Sequence, residues 1–247
     1  MSVPIILLHG VGLNATIWKE VTAELRVAGH EVDALDLPGH GERPPLTEPA
    51  TLTEMAQDVL HRMPEEPVHL VGFSLGSLIA QQITLDAPDQ VVSLTCVSSV
   101  CARNASEQRA VAARMTAAEE NFAGSVDRAL QRWFPEESSA ADSAVRERNR
   151  AILLANDVAS YLYAYRVFAT GDQEIAGQLH RLEVPVLVIT GEQDPGSTPE
   201  MSRRIAERIG HTSGETAVHI IPGARHMLPT THSGHLASLI SRHTNAS

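Results

Sequence analysis

Residues 68–80 read VHLVGFSLGSLIA. The first six are apolar apart from His69, as a strand buried on both faces of a sheet requires. The turn GFSLG follows at 72–76, and a largely apolar helix-forming run continues to about Leu85. A strand, a G-x-S-x-G turn and a helix in that order put the serine on a sharp bend that projects its Oγ above the sheet edge. Gly72 and Gly76 fit because side chains there would strike neighbouring backbone. The helix also aims its positive end at the serine. Ser74 is the candidate nucleophile.

Outward from this stretch the same grammar recurs. Short runs rich in Val, Ile and Leu at 5–8, 31–35, 91–97, 184–190 and 217–221 alternate with helix-period segments. That alternation predicts a mainly parallel six-stranded sheet with helices on both faces. Ile17, Val21 and Leu25 share one helical face. Thr51 and Glu54 form a capping box ahead of Leu52, Met55 and Val59, and Thr198 before Pro199 reads as a cap and first turn. A last helix covers about 236–242. The alternation stops after Val100 and resumes at Val184, and the Ala-rich, charged residues between show no strand pattern. The expectation is a helical insertion at 102–182 within one core made of 1–101 and 183–247.

Three loops complete a reaction site. Residues 5–12 (IILLHGVG) are a strand running into a glycine-rich loop, where the Val11 N–H can join the Leu75 N–H in stabilising an oxyanion. His9 reads as a loop-packing residue. Residues 188–195 (VITGEQDP) and 219–227 (HIIPGARHM) place an acid and a histidine after buried strands. Strand ends at one edge of a parallel sheet converge, so Asp194 can orient His226 while His226 takes the Ser74 proton. Asp194 is preferred to Glu192 because its shorter side chain suits the turn before Pro195. The stretch 98–106 offers no carboxylate after the fourth strand.

These segments, LLHG at 7–10, DLPGHG at 36–41, GFSLG at 72–76, GEQD at 191–194 and the His226 loop, resemble the α/β-hydrolase superfamily over most of the chain. The resemblance implies that fold, with the triad order Ser74, Asp194, His226. HGVGLNATIW at 9–18, NDVASYLYAYRVFATGD at 156–172 and GEQDPGSTPEM at 191–201 look most similar to 3-oxoadipate enol-lactonase-like hydrolases of aromatic catabolism. Members usually carry a β-hairpin before the HG strand. Here that strand starts almost at Met1, so a sheet shorter at one edge is expected. Ser74, where haloalkane dehalogenases carry an aspartate, argues against dehalogenation. Within DLPGHG, Asp36, Pro38 and His40 are read as shaping a tight turn.

The 247 residues carry a net charge of −11, with 43% hydrophobic and 20% charged residues. That balance argues against nucleic acid or an anionic membrane as partner, and no apolar run nears the ~18 residues of a membrane span. Residues 1–10 lack the basic start of a signal peptide. Cys96 and Cys101, about 16 Å apart along one strand, read as free thiols, and the cytoplasm is the expected compartment. No metal-ligand spacing occurs, so the expected partner is a small-molecule substrate with no metal or organic cofactor.

Seven of the nine aromatic residues lie in the insertion. Val158, Tyr161, Leu162, Tyr165 and Phe168 share a helical stripe that can pack the insertion onto the sheet or wall a substrate pocket. Trp133, Tyr161, Tyr165 and Arg166 are the pocket candidates. Arg103, Arg132, Arg148, Arg150 and Arg166 are the cations available for a substrate carboxylate. The expected reaction is hydrolysis of a small carboxylic ester or lactone through an acyl-enzyme on Ser74. A C–C bond hydrolase of ring-cleavage products and a non-catalytic ligand receptor are the alternatives.

Overall fold

A computed structural model describes residues 3–134, 140–210 and 215–247. Its strands are β1 (Ile5–Leu8), β2 (Val32–Leu35), β3 (Val68–Phe73), β4 (Val91–Val97), β5 (Val186–Gly191) and β6 (Thr216–Ile221). They form one sheet in the order β2-β1-β3-β4-β5-β6, and every neighbouring pair is parallel. This is the six-stranded parallel sheet expected from the alternation of strands and helices. Three strand starts shift from the sequence reading, that of β6 by one residue to Thr216. Pro185 cannot donate to a ladder, so β5 begins at Val186, and the Pro185 carbonyl accepts from Leu94 N–H instead. Glu31 likewise lends only its carbonyl, to Ile5 N–H, and β2 begins one residue later.

The two-residue side-chain period of a strand divides the core into two layers. Ile5, Leu7, Val71 and Phe73 face one layer, and Ile6, Leu8 and Leu70 face the other. The first layer is closed by α1 (Lys19–Val27), whose Val21 and Leu25 are fully buried. The second is closed by α2 (Leu52–Arg62) and α3 (Leu75–Asp86). Both ends of the capping box on α2 are made, Glu54 N–H to Thr51 Oγ1 and Thr51 N–H to Glu54 Oε2.

Four helices, α4 (Ala105–Glu120), α5 (Phe122–Trp133), α6 (Ala140–Leu154) and α7 (Val158–Ile175), lie between β4 and β5. Asn104, Asn121 and Asp157 cap three of them by accepting backbone N–H bonds. Arg103, at the start of this insertion, is buried against Asp172 of α7, with Nη1 donating to Oδ1 at 2.7 Å and its own N–H donating to Oδ2 at 2.7 Å. Its guanidinium also lies 4.6 Å from the centre of the Phe168 ring. On the aromatic stripe Tyr161, Tyr165 and Phe168 are buried while Val158 is exposed.

Helix α8 (Pro199–Ile209) follows β5, and the short α9 (Leu228–Thr231) and α10 (Ser233–Ala246) close the chain. The last helix outruns its apolar centre because its ends are polar and carry no periodic signal. Cys96 and Cys101 are buried and unbonded, and burial pushes their thiols up to about 12 and about 11. Among the described residues no helix is long and apolar enough to cross a membrane.

Candidate active site

Ser74 sits between β3 and α3 with φ 54° and ψ −114°. Side chains avoid this region, so strain is held at this residue. Its surroundings enforce the bend. The Ser74 N–H donates to Val97 O at 2.9 Å, and the Gly76 N–H donates to His9 O at 3.0 Å. A Cβ on Gly72 would lie 2.3 Å from Gly76 O, and one on Gly76 would lie 2.5 Å from the carbonyl oxygens of Leu8 and His9. Only glycine lets the turn close this tightly.

Asp194 and His226 come from the loops after β5 and β6. His226 Nδ1–H donates to Asp194 Oδ2 at 2.6 Å. The other carboxylate oxygen accepts the N–H groups of Gly196 and Ser197, both at 2.9 Å. Asp194 is 3% exposed and His226 5%. The carboxylate is therefore held as an acceptor on three sides, and the proton of His226 is fixed on Nδ1. The carboxylate leaves Nε2 unengaged, and the ring lines the cavity. Glu192, its sequence rival, is exposed and accepts the Gly223 N–H instead.

The loop after β1 is braced by two buried histidines. Leu37 N–H donates to His9 Nε2 at 2.9 Å, and His9 Nδ1–H donates to Gly10 O at 2.8 Å. Gly12 N–H donates to His40 Nε2 at 2.9 Å, while His40 Nδ1–H donates to Pro38 O at 2.8 Å. Burial lowers the pKa of both rings, so both are held neutral, as acceptors of backbone N–H require. Asp36 tightens the same region by accepting from Ala15 and Glu42 N–H. The segment DLPGHG thus does more than make a turn: through His40 it holds the loop bearing Val11. That bond spans 28 residues, and no local signal announces it. Leu75 opens α3, so no carbonyl of its own helix is available to its N–H.

Ser74, His226 and Val11 wall one cavity, closed from above by the insertion. Trp133, Tyr161 and Tyr165 are in this wall, and the Trp133 ring lies 5.4 Å from that of His226. Arg166 is not: it is exposed. The correction follows from helical geometry, since at 3.6 residues per turn Arg166 points roughly 140° away from Tyr161 on α7. Of the other arginines, Arg103, Arg148 and Arg150 pair with Asp172, Glu20 and Asp127. Arg132 and Phe168, the latter from the aromatic stripe, reach the cavity, and so do Arg114 and Ser125, which sequence reasoning did not single out for it. Among the described residues no three His, Cys, Asp or Glu side chains converge as a metal site needs.

Residues 5–236 match the model of the alpha/beta hydrolase family. The chain is 34% identical over 231 residues to an Acinetobacter baylyi protein named (E)-2-((N-methylformamido)methylene)succinate hydrolase, covering 92% of this chain and 85% of that one. It is 31% identical over 227 residues to the pimeloyl-[acyl-carrier protein] methyl ester esterase of Edwardsiella ictaluri, covering 90% and 85%. Among solved structures, the enol-lactonase of Burkholderia xenovorans superposes with TM-score 0.84 at 19% identity, covering 100% of this chain and 93% of that one.

Proposed function

The chain belongs to the α/β-hydrolase family, and from that premise we propose that it is a serine hydrolase cleaving a small carboxylic ester or lactone through an acyl-enzyme on Ser74. The observation that carries this reading is the buried 2.6 Å bond from His226 to Asp194 beside a cavity that His226 shares with Ser74.

In this reading Ser74 Oγ attacks the substrate carbonyl carbon as its proton passes to His226 Nε2. Asp194 stabilises the resulting imidazolium through Nδ1. The N–H groups of Val11 and Leu75 receive the oxyanion. His226 then protonates the leaving alcohol oxygen as the C–O bond breaks. A water, deprotonated by the same nitrogen, attacks the acyl-enzyme, and His226 returns that proton to Ser74 Oγ as its bond to the acyl carbon breaks and the acid leaves. The relative named as a methyl ester esterase supports the ester class, whereas the enol-lactonase shares the fold alone.

The test is hydrolysis of p-nitrophenyl acetate and butyrate by wild type and Ser74→Ala, with fluorophosphonate labelling of both. Activity and labelling are expected in wild type and absent from the variant. A wild type that is neither labelled nor active overturns the reading and favours a ligand receptor on the same fold.

A further inference from the structure

The cavity over Ser74 is charged in a way the rest of the chain is not. The protein has 30 acidic and 19 basic residues, yet among the described residues the cavity wall contains Arg114 and Arg132 and no aspartate or glutamate. The two arginines come from different helices, α4 and α5, and each is only partly exposed. Each is anchored by one nitrogen. Arg114 Nε donates to Tyr165 Oη at 3.4 Å, and Arg132 Nη1 donates to Arg128 O at 2.9 Å. Among the described residues neither guanidinium has a carboxylate partner, whereas Arg103, Arg148 and Arg150 of the same insertion each do.

Two like charges directed into one aromatic-walled space repel each other, and burial weakens the solvent screening that would relieve them. Burial, and after it the Arg114 charge, lowers the pKa of Arg132. The complement to such a pair is an anion with two acceptor oxygens, because a guanidinium offers parallel N–H donors matched to a carboxylate. The cavity also continues outward past Arg132 into a groove that carries Arg128 and Arg225 and, among the described residues, again no acid. Approach to the site is cationic along its length.

We propose that Arg114 and Arg132 form an anion clamp that makes this enzyme selective for esters or lactones bearing a free carboxylate away from the scissile bond. The inference rests on the hydrolase reading for the word ester, while the clamp itself is a binding site and is tested as one. Both residues bind substrate and neither touches the reacting atoms. Their effect falls on KM and on the choice between charged and neutral substrates.

The experiment measures kcat/KM by proton release for methyl butyrate, monomethyl glutarate and carboxymethyl butyrate. The two anionic esters place the carboxylate on the acyl side and the alcohol side respectively. Wild type is expected to prefer at least one of them by tenfold or more. Arg114→Gln and Arg132→Gln are expected to cut that anionic-to-neutral ratio at least tenfold, mainly through KM, with Arg132→Lys recovering part of it. Calorimetric titration with glutarate gives a readout free of catalysis: wild type binds, and each Gln variant binds at least tenfold more weakly. Equal turnover of neutral and anionic esters by wild type, or glutarate binding indifferent to both substitutions, overturns the clamp. Loss of fluorophosphonate labelling and of all ester turnover overturns instead the hydrolase reading, and glutarate then decides the clamp by itself.

Discussion

The sheet domain and the helical insertion meet at one cavity but are built on different terms. At the sheet edge each member of the proposed triad has a fixed set of partners: Ser74 is bent by backbone contacts, Asp194 accepts three hydrogen bonds, and His226 takes one tautomer. The insertion presents surfaces rather than bonded constellations, an indole beside His226 and two arginines that have no carboxylate partner among the described residues. The difference suggests a division of labour. Strand ends of the sheet hold the chemistry, and the helices above choose what is admitted to it.

The largest effect that would test this division comes from Asp194→Asn. The amide oxygen can still accept the N–H groups of Gly196 and Ser197, but its NH2 faces His226 Nδ1 and turns the imidazole to the wrong tautomer. A fall in kcat of ~10⁴-fold is expected, equal for every ester tried, in steady-state assays. A loss that varied with substrate would break the comparison. Next comes Arg103→Met, which leaves Asp172 buried without its cation. Unfolding in urea should show a loss of about 3–5 kcal/mol, largely recovered in the double variant Arg103→Met with Asp172→Leu. Two separate transitions would show that the insertion melts apart from the sheet.

A smaller effect is expected from Trp133→Ala. Its ring packs against His226 without bonding to it, at a contact worth about 1 kcal/mol beyond area. KM should rise about tenfold while kcat changes little, and the size should differ among substrates.

The smallest is a pH effect confined to the sheet domain. Burial lowers the pKa of His9 and His40 and takes His69 down to about 4. The unfolded chain therefore binds more protons than the folded one below the ordinary histidine value of 6.5. Stability is full above 6.5 and falls as pH drops from there toward 4. Thermal melts from pH 7 to pH 5 should lose a few degrees, and less in His69→Gln. Activity should fall in parallel if the brace from His40 to Gly12 holds the oxyanion loop.

The same contrast explains what the sequence made legible. Buried parallel strands are continuous apolar runs, and the residues at their ends are turn chemistry with fixed spacing, so six strands could be located and Ser74, Asp194 and His226 singled out from residues alone. The errors at Pro185 and Glu31 arose because apolar pattern ignores which backbone groups can join a ladder. Cavity-lining residues of the insertion carry no such spacing. Arg114 and Arg166 are both arginines on Ala- or Tyr-bearing helices, and only the packing of α4 and α7 turns one inward and the other to solvent. The role of His40 was hidden because a bond to Gly12 depends on two loops meeting after the sheet has formed.

The insertion's position has a further consequence for how the molecule is made. Strands β4 and β5 pair in register, Leu94 against Val186, although four helices intervene in the chain. Closing so long a segment is a late event relative to contacts formed locally. During synthesis the amino-terminal strands and the serine turn can associate first, while the carboxylate and histidine proposed to activate the serine are still to be added. On the proposed mechanism competence thus arrives only when the final strands dock, and a nascent chain carries its serine unarmed.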